Sequence, residues 1–197
     1  MLALLLAGLT LLQGHAAPSE FKVRLDTTKG VIVIAVHREW APRGADRFYE
    51  LVTSGYYDHS AFFRVIKDRW AQFGIAAEPG VAQTWRSRAI ADDPWTGHSN
   101  VRGTVAFAFK DPNGRTTQVF INLRDNSATH DTVPFVVFGE VVQGMDVAAA
   151  LYAEYGEASG GGIRAGHQDA MFEAGTASLA AKFPLLDYIK SARVMTP

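Results

Sequence analysis

Residues 62–74 read FFRVIKDRWAQFG. Aromatic and β-branched residues dominate this stretch, which therefore predicts two short strands separated by the polar turn Lys67-Asp68-Arg69. Two residues break the apolar pattern, because Arg64 and Gln72 each stand between two apolar neighbours. Both are strongly polar, and their presence in a core-like stretch needs an explanation other than packing.

The remainder of the chain also divides into short strands and a few helices. Two alternating runs joined by TTKG predict a hairpin over residues 21–37. Further strands are predicted at 103–110, 118–123, 135–142 and 191–196. Amphipathic helices are predicted at 41–57 and 144–157, and a third helix from Thr176 to Ile189 is interrupted near Phe183. Residues 76–102, 124–134 and 158–166 are predicted to be loops. Many short strands with few helices favour an antiparallel barrel or sandwich, and a barrel has no free edges.

The composition excludes several classes of function. The 197 residues include 19 basic and 20 acidic side chains, for a formal net charge of −1, and no basic stripe runs along the chain. This charge balance gives no electrostatic footprint for nucleic acid. The absence of cysteine excludes disulfides, thiol catalysis and cysteine-ligated zinc.

The amino terminus has the pattern of a secretory signal. Residues 1–12 are nearly all apolar, and the small residues Gly14, Ala16 and Ala17 follow. We expect residues 1–17 to be a signal peptide, cleaved after GHA or HAA, so that the mature chain begins near Ala17 or Pro18 and is periplasmic or extracellular. An uncleaved anchor or a misassigned start are the alternatives.

Three motifs, in order, resemble those of the cyclophilin family of peptidyl-prolyl isomerases. In FFRVIKDRWAQFG, Arg64, Gln72 and Gly74 fall at the family's spacings. The stretch GTVAFAFKDPNGRTTQVFI at 103–121 matches a second family motif, and VVFGEVVQGMDV at 136–147 matches a third. The resemblance covers about residues 21–151.

The resemblance implies a mainly β fold. It is an eight-stranded antiparallel barrel closed by two α-helices, over residues 18–157, with a C-terminal loop, helix and closing segment over 158–197 in the same domain. It also implies a peptidyl-prolyl cis-trans isomerase that assists protein folding without a cofactor or metal. We expect a monomer that acts on proline-containing segments of unfolded or partly folded proteins, with no nucleic-acid partner and no membrane association after signal cleavage.

The resemblance further assigns roles to single residues. Arg64 would be the catalytic donor, and Gln72 would orient it and bond the substrate backbone. Phe120 would form the floor of the proline pocket, while Gln118 and the backbone of Ala108 would line the groove for the residues that precede proline.

Other positions depart from the family's pattern, and we expect them to alter the pocket walls. Arg69 and Trp70 replace a phenylalanine and a methionine, and Ala128 and Thr129 replace larger apolar residues. Phe109 stands where many members have asparagine, and Phe135 where they have histidine or tyrosine. We count Trp70, Phe109, Thr129 and Phe135 among the substrate-binding residues.

Two expectations follow from these departures. Trp70 would refill the space vacated at Ala128 and Thr129, a hypothesis that fails if Trp70 points away from Phe120. The alternative function is a catalytically weak module or chaperone that binds proline-containing peptides.

No other motif points to chemistry. The histidines show no metal-ligand spacing such as HExxH, and we expect solvated or capping roles for all six: His15, His37, His59, His98, His130 and His167. The stretch SGGGIR lacks the ending of a phosphate-binding loop, and Asp92-Asp93-Pro94 reads as a turn. Trp85 and Trp95 either contact peptides or pin the long loop to the barrel.

Overall fold

A computed structural model describes residues 16–162 and 167–196. The first fifteen residues of the predicted signal peptide therefore lie outside the described residues. Eight strands are present in the described part: β1 Glu20–Thr27, β2 Val31–His37, β3 Arg64–Ile66, β4 Trp70–Phe73, β5 Thr104–Phe107, β6 Val119–Asn122, β7 Val137–Gln143 and β8 Ile189–Val194.

All eight strands belong to one antiparallel sheet in the order β3-β4-β6-β5-β7-β2-β1-β8. The two ends of this curled sheet meet just before β3 and β8, where Ala61 pairs with Tyr188. There the Phe62 amide donates to Asp187 O and the Ile189 amide to Ser60 O, both at 2.9 Å. These bonds satisfy backbone groups that an open edge would leave free, and the predicted eight-stranded, mainly β fold is confirmed.

The core fills the inside of the curled sheet. Its large, fully buried members come from strands and from the segments that cover its ends, and include Phe48, Tyr57, Phe62, Phe63, Phe73, Phe107, Phe138, Leu25, Ile32 and Ile34. Burial of each such side chain contributes about 1.5–3 kcal/mol of transfer free energy. The strand β2 is buried at five consecutive residues, because Ile32, Ile34 and Val36 belong to the core while Val33 and Ala35, on the opposite face, are also covered.

The helix α1, Pro42–Thr53, packs its apolar stripe onto β7 and β8. Proline near its start is favourable because the first helical amide has no intrahelical acceptor. Neighbouring amides at this end are satisfied from outside the helix, since the buried Asp93 carboxylate accepts from the amides of Arg43 at 3.0 Å and Gly44 at 2.8 Å. The turn Asp92-Asp93-Pro94 thus serves as an external cap for α1.

The other helices differ from the sequence-based prediction. Within residues 144–157 only α4, Met145–Ala149, is helical, because the chain then turns so that the Tyr152 amide donates to Asp187 at 2.8 Å. Two short helices, α2 Pro79–Arg86 and α3 Ser127–His130, lie in segments expected to be loop. The last helix, α5, spans Asp169–Lys182, with a kink at Gly175, so it begins earlier and ends earlier than predicted.

The helices α2 and α5 pack against each other outside the barrel. Trp85 of α2 packs against the core and makes an edge contact with Tyr56 at 5.8 Å, whereas Trp95 is 59% exposed. Trp85 therefore pins its segment to the barrel, and Trp95 does not. Among the helices of the described ranges, none has the length and apolar character needed to cross a membrane.

Candidate active site

One row of outward-facing residues crosses four neighbouring strands. Arg64 of β3 pairs with Gln72 of β4, Gln72 pairs with Phe120 of β6, and Phe120 pairs with Ala106 of β5. Because adjacent residues of a strand face opposite sides, the neighbours of Arg64 and Gln72 point into the core and these two point out. This placement explains the polar residues in an otherwise core-like stretch.

The polar side chains of this row form a continuous hydrogen-bonded series. Arg64 Nη1 donates to Gln72 Oε1 at 3.0 Å, and Gln72 Nε2 donates to Gln118 Oε1 at 2.9 Å. Gln118 in turn exchanges hydrogen bonds with Gln168, at 2.9 and 3.2 Å. Arg64 and Gln72 are both buried, so the series fixes the orientation of each amide and of the guanidinium.

An apolar cluster lies directly beside this series. Phe120, Trp70 and Ala106 are buried together, and Ile66, Ala108 and Phe135 pack against them. Trp70 lies in one cluster with Phe120 and does not point away from it, so the condition that would reject the hypothesis is not met. That Trp70 refills the space at Ala128 and Thr129 stays a prediction. The Arg64 guanidinium carbon lies 5.1 Å from the Trp70 ring centroid, within the range of a cation–π contact.

Two predicted groove residues lie at the neighbouring end of the cluster. The Ala108 amide donates to Gln118 O at 2.9 Å, which ties the end of β5 to the start of β6. Phe109 packs on Phe135 with ring centroids 4.8 Å apart, and the Arg115 guanidinium lies 4.3 Å from the Phe109 ring. The structure therefore brings together the predicted residues Arg64, Gln72, Phe120, Gln118, Ala108, Trp70, Phe109 and Phe135.

The predicted contact residue Thr129 is exposed and is not a member of this cluster. Its hydroxyl lies 3.1 Å from Asn126 O and 2.9 Å from Nδ1 of His130. The neighbouring His130 instead packs against three rings of the cluster, with centroid distances of 5.5 Å to Trp70, 5.5 Å to Phe120 and 5.0 Å to Phe135. His130 thus forms a wall of the site that the sequence, which predicts only a solvated or capping histidine here, does not reveal.

The surroundings of His130 change its protonation. Burial among the rings lowers the pKa of His130 below its ordinary value of 6.5, Asp131 opposes this shift, and the cations Arg124 and Arg64 add to it. His130 is therefore an uncharged, half-buried aromatic at neutral pH. It extends the apolar wall and adds no second cation beside Arg64.

A buried polar network holds the loop that carries His130 and Phe135. Asn122 Nδ2 donates to Asn100 Oδ1 at 3.1 Å, and Asn126 Nδ2 donates to Asn122 Oδ1 at 2.8 Å. Asn100 Nδ2 donates to Phe135 O and to Asp131 Oδ1, both at 2.9 Å. Burial opposes ionisation of Asp131, but the bonds from Asn100 outweigh it and lower the pKa of that carboxyl.

Two further residues of the site were not predicted: Glu157, which ends the predicted helix 144–157, and Gln168, which lies in the C-terminal segment 158–197. Glu157 Oε2 and Oε1 accept from Arg64 Nε at 2.9 Å and Nη2 at 2.6 Å. Gln168, which immediately precedes α5, pairs with Gln118. No local pattern points to either residue, because each meets its partner across a long stretch of chain. Over residues 16–162 and 167–196, no group of three or more histidines and acidic residues is arranged to hold a metal ion.

Comparison with known proteins gives consistent matches. Residues 22–162 match the family described as cyclophilin type peptidyl-prolyl cis-trans isomerase/CLD. The peptidyl-prolyl cis-trans isomerase cyp18 of Streptomyces antibioticus is 34% identical over 154 residues, which cover 75% of this chain and 89% of that protein. Peptidyl-prolyl cis-trans isomerase B of Escherichia coli is 35% identical over 132 residues, covering 64% of this chain and 80% of that protein.

Solved structures agree with the fold. The crystal structure of a Cryptosporidium parvum cyclophilin type peptidyl-prolyl cis-trans isomerase superposes with a TM-score of 0.65, covering 90% of this chain and 99% of the other. The same protein crystallised in the presence of the dipeptide Ala-Pro gives a TM-score of 0.63, covering 89% and 99%. Both are 18% identical to this chain, a level at which the likeness concerns the fold alone.

Proposed function

The chain belongs to the cyclophilin-type peptidyl-prolyl cis-trans isomerase family, and we propose that it isomerises X-Pro bonds at the outward row of Arg64, Gln72 and Phe120. In this proposal a proline ring of the substrate rests on the Phe120 cluster. The Arg64 guanidinium then faces the amide that twists, and Gln72 and Gln118 bond the peptide backbone.

The reaction requires no covalent chemistry from the protein. Amide resonance imposes a barrier of about 18–20 kcal/mol on rotation, and no bond is made or broken. A catalyst has only to bind the twisted amide more tightly than either planar form. In the twisted state the prolyl nitrogen becomes pyramidal and gains a lone pair, to which a fixed cationic donor is complementary. Arginine suits this task because its guanidinium is planar, permanently charged and rigid.

The observation that carries the proposal is the bond from Arg64 to Gln72 beside the ring of Phe120. It supplies a cationic donor of fixed direction next to an apolar surface, the two features that a twisted prolyl amide requires. The second candidate is a peptide-binding module with little turnover. Relatives named as isomerases do not favour it, although the departures Arg69, Trp70, Ala128 and Thr129 keep it as one outcome of the test.

We also propose that the enzyme is exported, by way of a signal peptide, and acts on proline-containing segments of unfolded or partly folded proteins outside the cytoplasm, as a monomer. The support is the apolar run of residues 1–12 together with the environment of Ala17. Ala17 is buried, and its backbone nitrogen donates to Asp46 Oδ1 at 2.9 Å. Cleavage after Ala16 would leave the Ala17 ammonium beside this carboxylate. Mass spectrometry of the protein from a secreting host tests the site, and a chain that retains residues 1–16 would overturn the proposal.

The test of the isomerase proposal is NMR exchange on a short proline peptide with the wild-type mature chain, Arg64→Ala and Arg64→Lys. We expect Arg64→Ala to lower the rate enhancement at least about tenfold, or about 1.4 kcal/mol of transition-state stabilisation. Arg64→Lys should recover little, because lysine lacks the planar fork. Arg24→Ala is the matched control, since Arg24 is an exposed arginine of β1 bonded to Asp26.

Two results would overturn the assignment. If the wild-type chain binds several proline peptides without accelerating their exchange, the binding-module function replaces the isomerase. If Arg64→Ala keeps the wild-type rate enhancement, the activity lies elsewhere than in the row of Arg64, Gln72 and Phe120.

A further inference from the structure

The guanidinium of Arg64 is held by a carboxylate from a distant part of the chain. Glu157 lies in the turns that follow α4, and its two oxygens accept from Nε at 2.9 Å and from Nη2 at 2.6 Å. Such a two-bond fork fixes both the distance and the plane of the guanidinium. Gln72 adds the third bond, to Nη1 at 3.0 Å. The orientation of Arg64 is therefore determined from two sides.

Burial explains why a counter-charge stands at this position. The Arg64 side chain is only 10% exposed, whereas that of Glu157 is 42% exposed. Gly160 covers the aliphatic stem of Arg64 so closely that an added Cβ would lie 3.3 Å from its Cβ and Cγ. A nearly buried cation without a partner is strongly unfavourable. The turn that covers Arg64 thus also supplies its neutralising carboxylate.

The fork leaves part of the guanidinium unused. Arginine has five N–H donors, and the described residues engage one on Nε, one on Nη1 and one on Nη2. The two other N–H groups belong to Nη1 and Nη2, at the end of the side chain. Glu157 therefore binds the edge of the guanidinium that includes Nε. The remaining N–H groups of Nη1 and Nη2 lie in the guanidinium plane, whose orientation the two bonds to Glu157 fix.

We propose that Glu157 is a positioning residue of the isomerase site, which holds Arg64 in the orientation that meets the twisted prolyl amide. This inference rests on the proposed function, because it assumes that Arg64 is the donor. Glu157 acts through Arg64 and does not touch the substrate. The rival interpretation is an inhibitory strap, in which Glu157 and Gln168 occupy polar groups that a peptide must reach.

The test compares wild type with Glu157→Gln, Glu157→Asp and the control Glu154→Gln. Glutamine cannot accept at both ends, so the fork is lost, while aspartate keeps the charge on a shorter stem. Glu154 is exposed, three residues away, and its substitution removes the same charge. We expect Glu157→Gln to lower kcat about three- to tenfold with KM within about twofold. Glu157→Asp should recover part of the loss, and Glu154→Gln should match wild type.

Two further measurements separate positioning from a merely structural role. The 15Nε–1Hε resonance of Arg64 should shift in Glu157→Gln and not in Glu154→Gln, because Nε–H loses its carboxylate partner only in the former. In an Arg64→Ala background, Glu157→Gln should cost nothing further in kcat, because its effect passes through Arg64.

Each contrary outcome has a distinct meaning. A rise of kcat/KM in Glu157→Gln would establish the inhibitory strap and overturn positioning. Unchanged kinetics with a shifted Arg64 resonance would mean that Glu157 only compensates the charge of Arg64, and this result would also overturn the positioning role. Full activity of Arg64→Ala would instead refute the proposed function, so the two failures are distinguishable.

Discussion

Arg64 and Gln72 face each other across two paired strands, and Arg64 Nη1 donates to Gln72 Oε1 at 3.0 Å. Gln72 also donates to Gln118, so it connects the cation to the groove. We expect Gln72→Ala to lower kcat/KM about three- to tenfold, because the guanidinium loses one of its hydrogen bonds and Gln118 loses one of its two donors. NMR exchange on a proline peptide measures the change.

The control for this substitution is Gln143→Ala, at the exposed end of β7. It removes the same side chain from the same kind of strand and should leave kcat/KM unchanged. Thermal unfolding of both variants identifies any loss that arises from stability alone. A Gln72→Ala variant with wild-type kcat/KM would show that the peptide does not depend on this amide.

His130 makes stability depend on pH in one window. Burial lowers the pKa of His130 in the folded protein below the 6.5 of an ordinary histidine, against the opposing effect of Asp131 and together with Arg124 and Arg64. Between the lowered value and about pH 6.5 the unfolded chain binds a proton that the folded chain does not. Stability therefore falls as the pH drops through this window and reaches its full value above it.

Comparison of wild type with His130→Gln isolates this contribution. The difference in unfolding free energy between the two proteins, from urea titrations at several pH values, should change in the variant's favour as the pH falls below about 6.5. The other titrating groups are common to both chains and cancel. Identical pH profiles would mean that His130 titrates alike in folded and unfolded chains. A histidine NMR titration gives the folded pKa directly.

Local sequence pattern predicted most of the strands, whereas the eight-stranded barrel followed from the resemblance to the family. The hairpin of β1 and β2 follows from alternation and from Gly30, whose φ of +139° is open to glycine. The turn between β3 and β4 places Asp68 at φ +54°, a left-handed conformation that aspartate tolerates. The spacing of the family motifs predicted Arg64, Gln72 and Phe120 as site residues. In the structure, the pairing of β3, β4 and β6 brings these three residues together.

The missed features are those that local pattern does not encode. The helix α2 spans only eight residues, of which Ala82 alone is fully buried, so it offers too few apolar positions to distinguish a helix from a loop. The kink of α5 at Gly175, with φ +64°, divides one helix into two pieces that no single periodicity describes. Glu157 reaches Arg64 from 93 residues away, and Gln168 reaches Gln118 from 50 residues away. These contacts depend on how the chain that follows α4 docks on the barrel, which is a tertiary property.

Trp70 offers a direct test of the altered pocket. It shares a buried cluster with Phe120, and its Nε1 is buried without a hydrogen-bond partner among the described residues. We expect Trp70→Met, which introduces the residue of the family pattern, to raise KM for proline peptides about two- to threefold, because the proline ring loses part of the apolar surface on which it rests and apolar contact contributes about 25 cal/mol per Å². Steady-state kinetics measures it.

The stability change of this variant should be modest. Loss of buried ring area destabilises the fold, but removal of an unpaired buried N–H offsets part of that loss. The matched control is Trp95→Met, because Trp95 is exposed and lies outside the cluster. A lower KM in Trp70→Met would mean that the indole obstructs the Phe120 surface and is not a contact surface for the peptide.

Asn122 joins β6 to the loop that carries His130 and Phe135. It is fully buried, donates to Asn100 and Thr104, and accepts from Asn126. Each buried polar group left without a partner costs about 1–3 kcal/mol, so Asn122→Ala should lower the unfolding free energy by about 2–4 kcal/mol. Hydrogen exchange should accelerate at 126–135 more than in β1 and β2, because the loop loses its anchor.

Gln83→Ala, which removes an exposed amide of α2, serves as the control. Uniform acceleration over the whole chain would contradict the anchoring role, since it would show that Asn122 stabilises the barrel as a whole and not this wall of the site.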